Sequence, residues 1–330
     1  MKKILSIMLI IVTILSTTAL FSCNNEPPVN SNGYKVALDL TEEWNKISSG
    51  AQLVQGCVVI RKQFAEENPG AVSAFLDEYN ASIDYTSKNP SEAGLLIVKY
   101  EIDANSDVAS MAIPNCNIEF LEGTEMKESL SDFLAAMYSI APASVGNKLP
   151  QDDFYYQRDE SVEKTGTKIN VATLNGTTGY GMAKLMEDSA NGQTTNEYTF
   201  NVVSDPTLII AGLANGSIDI GALPTNAASN VYNKTSGKVQ ALAINTLGVL
   251  YVLDKTDSIK SLADLEGKTI YCPAQNPTFI LKYILNKNNI NATIDSTTYA
   301  TPAALEAMLV AGKVDIAVLP EPKVSNVMKD

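Results

Sequence analysis

The sequence of 330 residues contains no histidine, one tryptophan and two arginines. Histidine is the most common general base near neutral pH and the most common metal ligand in proteins. Its absence excludes histidine-dependent catalysis. The four cysteines form no C-x-x-C pair and no spacing typical of metal ligands. We therefore predict no catalytic residue, no metal site and no cofactor.

The N-terminus has the layout of an export signal. Two lysines follow the first methionine, and an apolar run then extends to residue 21. Residues 20–23, Leu-Phe-Ser-Cys, resemble the lipobox of bacterial lipoproteins, in which the cysteine is acylated. We predict a lipoprotein signal peptide at 1–22, lipidation at Cys23 and a polar tether over 23–33. The protein is then exported and lipid-anchored, at the outer face of the cytoplasmic membrane or on the periplasmic side.

The mature chain is strongly acidic. Removing residues 1–22 takes away two of the 24 basic residues and none of the 37 acidic ones, which leaves a net charge of −15. Nucleic acid is a poor partner for such a surface.

Three cysteines, Cys57, Cys116 and Cys272, follow the predicted lipidation site. Small buried thiols are the favoured interpretation. An exported protein can also form disulfides, so a bond between Cys57 and Cys272 stays open.

One sequence pattern occurs twice. GSIDIGALPTN at 216–226 and GKVDIAVLPEP at 312–322 share an aspartate, a leucine and a proline at the same offset of 96 residues. A repeat of this kind indicates two related structural units. The aspartates, Asp219 and Asp315, are interpreted as turn carboxylates that hold their own loops.

Each unit reads as strand, helix, strand, helix, strand. In the first, Asp205 is placed to cap a helix that starts at Pro206 and stops at Gly216. In the second, Thr301 and Pro302 start a helix and Gly312 stops it. Helices between short apolar strands imply parallel, right-handed crossovers. We predict an α/β fold of two lobes, each a mostly parallel sheet flanked by helices, with a ligand cleft between them.

Ligands of open α/β sheets bind outside the carboxyl ends of the strands. Four loops are therefore candidates: 174–179, 223–226, 273–278 and 319–322. The candidate ligand-binding residues on them are Asn175, Thr177, Thr178, Thr225, Asn226, Gln275, Asn276, Thr278 and Glu321. The single tryptophan, Trp44, is a further candidate because it can stack on a ring, and packing at the hinge is an equal alternative.

The chain resembles a known family in four segments: KINVATLNGTTG, LIIAGLANGSIDIGALPTNAA, KVQALAINTLGVLYVLDKTDSIKSLADLEGKTI and VDIAVLPEPKV. These resemble the type II periplasmic binding proteins of ABC importers, in the branch for nitrate, sulfonates, taurine and thiamine-pyrimidine precursors. The resemblance implies a monomer that closes its lobes around a small solute, performs no chemistry and delivers the solute to a permease with its ATPase.

The order of segments differs from that family, since material resembling its C-terminal third comes first. We predict a circular permutation. Residues 34–62 complete lobe 2 and carry the return crossover, and residues 63–156 supply the helices that complete lobe 1. Residues 157–167 form a joint. Residues 168–247 form the lobe 1 core, and residues 248–330 form the crossover and the lobe 2 core.

The ligand class and two rival functions stay open. Only Arg61 is available to clamp an oxyanion, because Arg158 lies in the joint, and this favours a neutral or aromatic solute such as a pyrimidine over a sulfonate. An enzyme on the same fold, resembling pyrimidine synthases, is disfavoured because that chemistry uses histidine. A ligand-sensing lipoprotein outside transport is a further alternative. The segment GTTGYG at 176–181 lacks the G-x-G-x-x-G spacing of dinucleotide sites.

Overall fold

The computed structural model describes residues 33–48 and 50–329. The predicted signal peptide, Cys23 and the tether up to residue 32 lie outside the described residues. Within the described ranges, no helix is both long and apolar enough to cross a membrane.

Strands and helices alternate through most of the described chain. The strands are β1 (Lys35–Asp39), β2 (Gly56–Arg61), β3 (Ile118–Leu121), β4 (Lys168–Leu174), β5 (Glu197–Val203), β6 (Ile220–Pro224), β7 (Val239–Thr246), β8 (Leu250–Asp254), β9 (Thr269–Tyr271), β10 (Thr293–Asp295) and β11 (Ile316–Pro320). The α-helices are α1 (Leu40–Ile47), α2 (Lys62–Glu67), α3 (Pro69–Lys88), α4 (Pro90–Lys99), α5 (Ser106–Ala112), α6 (Gly123–Ile140), α7 (Thr177–Tyr180), α8 (Ala183–Ala190), α9 (Pro206–Asn215), α10 (Thr225–Lys234), α11 (Asn276–Lys287), α12 (Pro302–Val310) and α13 (Lys323–Met328).

The strands form two sheets. The larger has the order β3-β7-β2-β6-β4-β5 and the smaller has the order β1-β8-β11-β9-β10. Helices flank both, so the predicted two-sheet α/β fold is confirmed. We refer to the larger sheet with its helices as lobe 1 and to the smaller as lobe 2.

The sheets are mixed rather than mostly parallel. Parallel pairs join β4 to β5 and β6, and β9 to β10 and β11, as expected for βαβ units. The remaining pairs are antiparallel. They involve β1, β2, β3, β7 and β8, which lie outside the repeated units. Of these, β2, β3 and β8 run against the repeated strands, and β1 and β7 run with them. The repeat therefore predicts the parallel strand pairs of each sheet and does not predict the antiparallel pairs.

Residues at the ends of the repeated helices adopt the predicted capping geometry. The side chain of Asp205 accepts a hydrogen bond from the Thr207 amide at the start of α9, and Gly216 ends that helix with a φ of +83°. The Thr301 hydroxyl accepts from the Ala304 amide at the start of α12. A left-handed φ costs glycine little, which explains the stop after α9.

Between the described strands, the chain passes from one sheet to the other twice. It leaves lobe 2 after α1 and enters lobe 1 at β2, and it returns over residues 247–249 between β7 and β8. The two crossings contact each other, because the amide of Val249 donates to the side-chain oxygen of Gln55 at 2.8 Å. Two adjacent connections of this kind can serve as a hinge.

The lobes share a hydrophobic core on one side of the molecule. Trp44 of α1 is fully buried, with its ring centroid 4.8 Å from that of Tyr283 in α11 and 5.7 Å from that of Phe133 in α6. Its indole N–H donates to the carbonyl of Ala51 at 2.8 Å. Because α6 packs on lobe 1 and α11 on lobe 2, this aromatic group holds the lobes together.

The polar segment 157–167 is anchored at several points. Arg158 lies 2.6 Å from a carboxylate oxygen of Asp77 in α3 and 3.5 Å from one of Glu122. A Cβ placed on Gly70 would lie 2.5 Å from the carbonyl oxygen of Glu163, so the segment passes directly over α3. The permuted order and its predicted boundaries stay predictions.

Candidate functional site

A cavity of about 630 Å³ lies between the lobes. Residues 101–104 and 175–177 line it from lobe 1, and residues 320–323 line it from lobe 2, together with Val98 and Pro302. The loops at 175–177 and 320–323 follow the carboxyl ends of β4 and β11. Both are positions where open α/β sheets bind ligands.

Backbone contacts fix the loop after β4. The amide of Asn175 donates to the carbonyl of Val203 at 3.0 Å, and its side-chain amide donates to the carbonyl of Glu101 at 3.0 Å. Gly176 donates to the carbonyl of Ile102 and has a φ of +89°. This left-handed conformation favours glycine, which here lines the cavity without a side chain.

Gly179 allows a close approach that positions this loop. A Cβ at this residue would lie 2.3 Å from the carbonyl oxygen of Leu174 and 2.8 Å from a methyl group of Ile102. We expect Gly179→Ala to destabilise the protein by about 2 kcal/mol or more, because backbone must move. Urea unfolding measures this, with Gly192→Ala for comparison, because the Cβ added there meets nothing within 4 Å and the left-handed φ of +68° is its source of strain. A loss of less than about 1 kcal/mol in Gly179→Ala would contradict the close approach.

Glu321 is the predicted site residue that lobe 2 contributes. It is only 3% exposed, and its amide donates to the carbonyl of Val249 at the crossing. Its carboxylate accepts from the amide of Ser325 at 2.9 Å and from the Ser325 hydroxyl at 3.0 Å. Burial nevertheless raises the pKa of Glu321 to about 7, because desolvation disfavours the charged form.

Lobe 1 contributes a carboxylate that sequence reasoning missed. Asp103 accepts from the hydroxyl of the fully buried Tyr180 at 2.7 Å and from the amide of Ala104 at 2.6 Å. Burial raises the pKa of Tyr180, so its hydroxyl stays protonated and donates. Asp103 lies between α4 and α5, outside the repeated units, so the repeat carries no signal for it.

Contacts between the lobes border the cavity. The hydroxyl of Tyr251 in β8 donates to the carbonyl of Asn115 at 2.8 Å, and Lys329 lies 3.2 Å from a carboxylate oxygen of Asp107 in α5. α13 packs against α5 at the same place. These contacts join the two lobes beside the cavity.

The structure brings three of the predicted site residues together, namely Asn175, Thr177 and Glu321. Thr178 lies one residue beyond the lining, and its carbonyl accepts from the side-chain amide of Asn245 at 3.1 Å. Trp44 lies in the shared core, so the structure supports its packing alternative.

The other two loops lie elsewhere. Thr225 and Asn226 are buried at the start of α10, where the amide of Thr225 donates to the carbonyl of Gln55 at 3.2 Å. Both residues lie behind the connection that contains Gln55 and do not line the cavity. The third loop carries Gln275, Asn276 and Thr278; the Thr278 hydroxyl donates to the carbonyl of Pro273 at 2.8 Å, and its side chain lines a separate depression.

Neither arginine lines the cavity. Arg61 lies 2.6 Å from a carboxylate oxygen of Asp219, whose other oxygen accepts from the amide and side chain of Asn170. Asp219 thus fastens the start of β6 to β2 and β4, so its role is structural but it holds neighbouring strands rather than its own loop. Because Arg158 is held at the joint, no guanidinium reaches the cavity in the described part of the chain.

The three cysteines of the described chain are buried and free. Burial raises the pKa of Cys57 and of Cys272 to about 12, so both are protonated thiols at neutral pH. The interpretation as buried thiols is confirmed, and the disulfide between Cys57 and Cys272 is not formed.

No protein-family model matches the chain, and no curated protein matches it. Two solved structures are similar in part. One, an ABC transporter from Parabacteroides distasonis, is 24% identical with a TM-score of 0.35, and the match covers 48% of this chain and 54% of that one. The other is the alkanesulfonate-binding protein SsuA from Xanthomonas axonopodis pv. citri bound to MOPS. It is 17% identical with a TM-score of 0.30, and the match covers 47% of this chain and 55% of that one. The chain spans about half the length of each.

Proposed function

We propose that the chain is the solute-binding component of an ABC uptake transporter, exported and anchored to the membrane through Cys23. It binds a small organic molecule in the cavity between the lobes and releases it unchanged to a permease. The observation that supports this proposal is the cavity itself. Loops at the carboxyl ends of parallel strands from two different sheets line it together.

The mechanism is an equilibrium between open and closed lobes. A solute that contacts Asn175 and Thr177 on lobe 1 and Glu321 on lobe 2 binds the closed form better than the open one. It therefore shifts the population towards closure by its difference in affinity. The two adjacent crossings between the sheets absorb the rotation, and the closed form is the one that the permease recognises.

A thermal-shift screen of the soluble body from Asn24 tests the proposal. The compounds are pyrimidines, amines, sulfonates, nitrate and amino-acid-like molecules. A cleft ligand at 100 times its dissociation constant stabilises the folded protein by ~2.7 kcal/mol. We expect at least one class to give such a shift, and mass spectrometry to recover the compound unchanged. Recovery of a chemically changed compound would show that the chain is an enzyme and would contradict the proposal.

Thr177→Val tests whether the bound compound occupies this cavity. The change preserves side-chain shape and removes one hydroxyl from the lining, so we expect affinity to fall about two- to tenfold. Titration calorimetry measures this, with Thr199→Val on the exposed face of β5 as the matched control. Equal affinities for both variants and the unchanged protein would place the ligand elsewhere.

A further inference from the structure

We propose that the solute carries a positive charge, as a protonated amine or another organic cation, held between Glu321 of lobe 2 and Asp103 of lobe 1. This inference rests on the proposed function and narrows its ligand class. It follows from the charges that line the cavity, the burial of Glu321 and the placement of the two carboxylates on opposite lobes.

The charged groups of the lining are unbalanced. Glu101, Asp103 and Glu321 carry carboxylates, and Lys323 carries the one ammonium group among the described lining residues. The ammonium of Lys323 already lies 2.9 Å from a carboxylate oxygen of Glu306. None of the three lining carboxylates takes part in a salt bridge within the described ranges. The cavity wall therefore has acidic charge that the protein does not neutralise.

Glu321 is the group for which this imbalance matters most. A carboxylate that is 3% exposed loses most of its hydration, and hydrogen bonds from Ser325 and from the side chain of Asn115 replace only part of it. The titratable groups close enough to interact with it are Cys116, Tyr180 and Tyr251, which are neutral at physiological pH because burial raises the pKa of each. Asp103 lines the same cavity from the other lobe. A cationic ligand would supply the positive charge that the groups around Glu321 lack.

The two carboxylates approach from different lobes. Asp103 lies after α4 beside the larger sheet, and Glu321 follows β11 in the smaller sheet. Both lie close enough to the buried thiol of Cys116 to raise its pKa. Closure of the lobes therefore brings like charges together, which is unfavourable. A cation placed between the two carboxylates attracts both of them and so outweighs their repulsion. It therefore favours closure more than a neutral or anionic solute of equal shape does.

Matched probes test this inference. Titration calorimetry at pH 7.5 compares an amine, an alcohol and a sulfonate on the same skeleton: benzyl, cyclohexylmethyl and butyl. We expect the amine of at least one set to bind tenfold or more tighter than its alcohol, with the sulfonate weakest. Glu321→Gln and Asp103→Asn each lower amine affinity about tenfold and change alcohol affinity less than twofold. Glu197→Gln, an exposed glutamate on β5, is the matched control and leaves all affinities unchanged.

Proton release on amine binding gives a second measurement. Glu321 binds a proton for part of the time near neutral pH, and a neighbouring cation favours its ionised form. Amine binding therefore releases protons, and the heat of binding depends on the ionisation enthalpy of the buffer in the unchanged protein. In Glu321→Gln, we expect the heat of binding to be the same in buffers of different ionisation enthalpy.

The outcomes separate this inference from the proposed function. Tighter binding of an alcohol or a sulfonate, or an amine preference that survives Glu321→Gln and Asp103→Asn, would overturn the charge assignment and leave solute binding intact. Failure of all nine probes and of the wider screen would count against both.

Discussion

Trp44→Ala is expected to lower the free energy of unfolding by about 3–5 kcal/mol. The indole is fully buried between α6 of lobe 1 and α11 of lobe 2, so its removal leaves a cavity where the lobes share their core. It also leaves the carbonyl of Ala51 without its side-chain donor. Urea unfolding followed by circular dichroism measures the loss.

Two companion variants sharpen this result. Trp44→Phe retains the aromatic packing and should cost about 1–2 kcal/mol, because it loses the indole hydrogen bond and some volume. Tyr138→Ala, on the exposed face of α6, should change stability by less than about 0.5 kcal/mol. A Trp44→Ala variant as stable as the unchanged protein, with lost solute binding, would return Trp44 to the ligand site.

Glu321→Gln is expected to stabilise the protein most at alkaline pH. Burial raises the pKa of Glu321 from 4.5 in the unfolded chain to about 7 in the folded one. The folded state thus binds more protons than the unfolded state between these values, and stability falls as pH rises through this range. The shift corresponds to about 3 kcal/mol, all of it present below pH 4.5 and lost above pH 7. Glutamine does not titrate, so the variant lacks this loss.

Urea unfolding at pH 5, 6, 7 and 8 measures the effect. The stability difference between Glu321→Gln and the unchanged protein should grow by about 2–3 kcal/mol from pH 5 to pH 8. Glu197→Gln should run parallel to the unchanged protein, because that side chain is 71% exposed. Parallel curves for Glu321→Gln as well would show that the carboxylate of Glu321 is hydrated in solution.

Local rules predict the repeated units well. Capping residues and helix-stopping glycines act within a few residues, so the ends of α9 and α12 follow from the chain itself. The strand ends that carry Asn175 and Glu321 follow in the same way, since β4 and β11 lie in those units. Their presence on one cavity required only that the parallel strands of the two sheets end facing each other.

The rest of the site depends on long-range packing. Asp103 reaches the cavity because α4 and α5 pack together beside lobe 1, and no local pattern fixes that position. Thr225 and Asn226 occupy a strand end like those of Asn175 and Glu321, but the crossing at Gln55 covers them. Trp44 could not be assigned from sequence, because its partners Phe133 and Tyr283 lie far from it along the chain.

A measurement of the distance between the lobes shows whether they close around a solute. Cysteines introduced at Leu95 in α4 and Val310 in α12, both exposed, carry spin labels, while the three native cysteines of the described chain are buried. Pulsed electron spin resonance then gives the distribution of distances between lobe 1 and lobe 2. We expect a shorter and narrower distribution when the compound with the largest thermal shift is bound. A distribution that stays the same with that compound bound would contradict lobe closure around a solute.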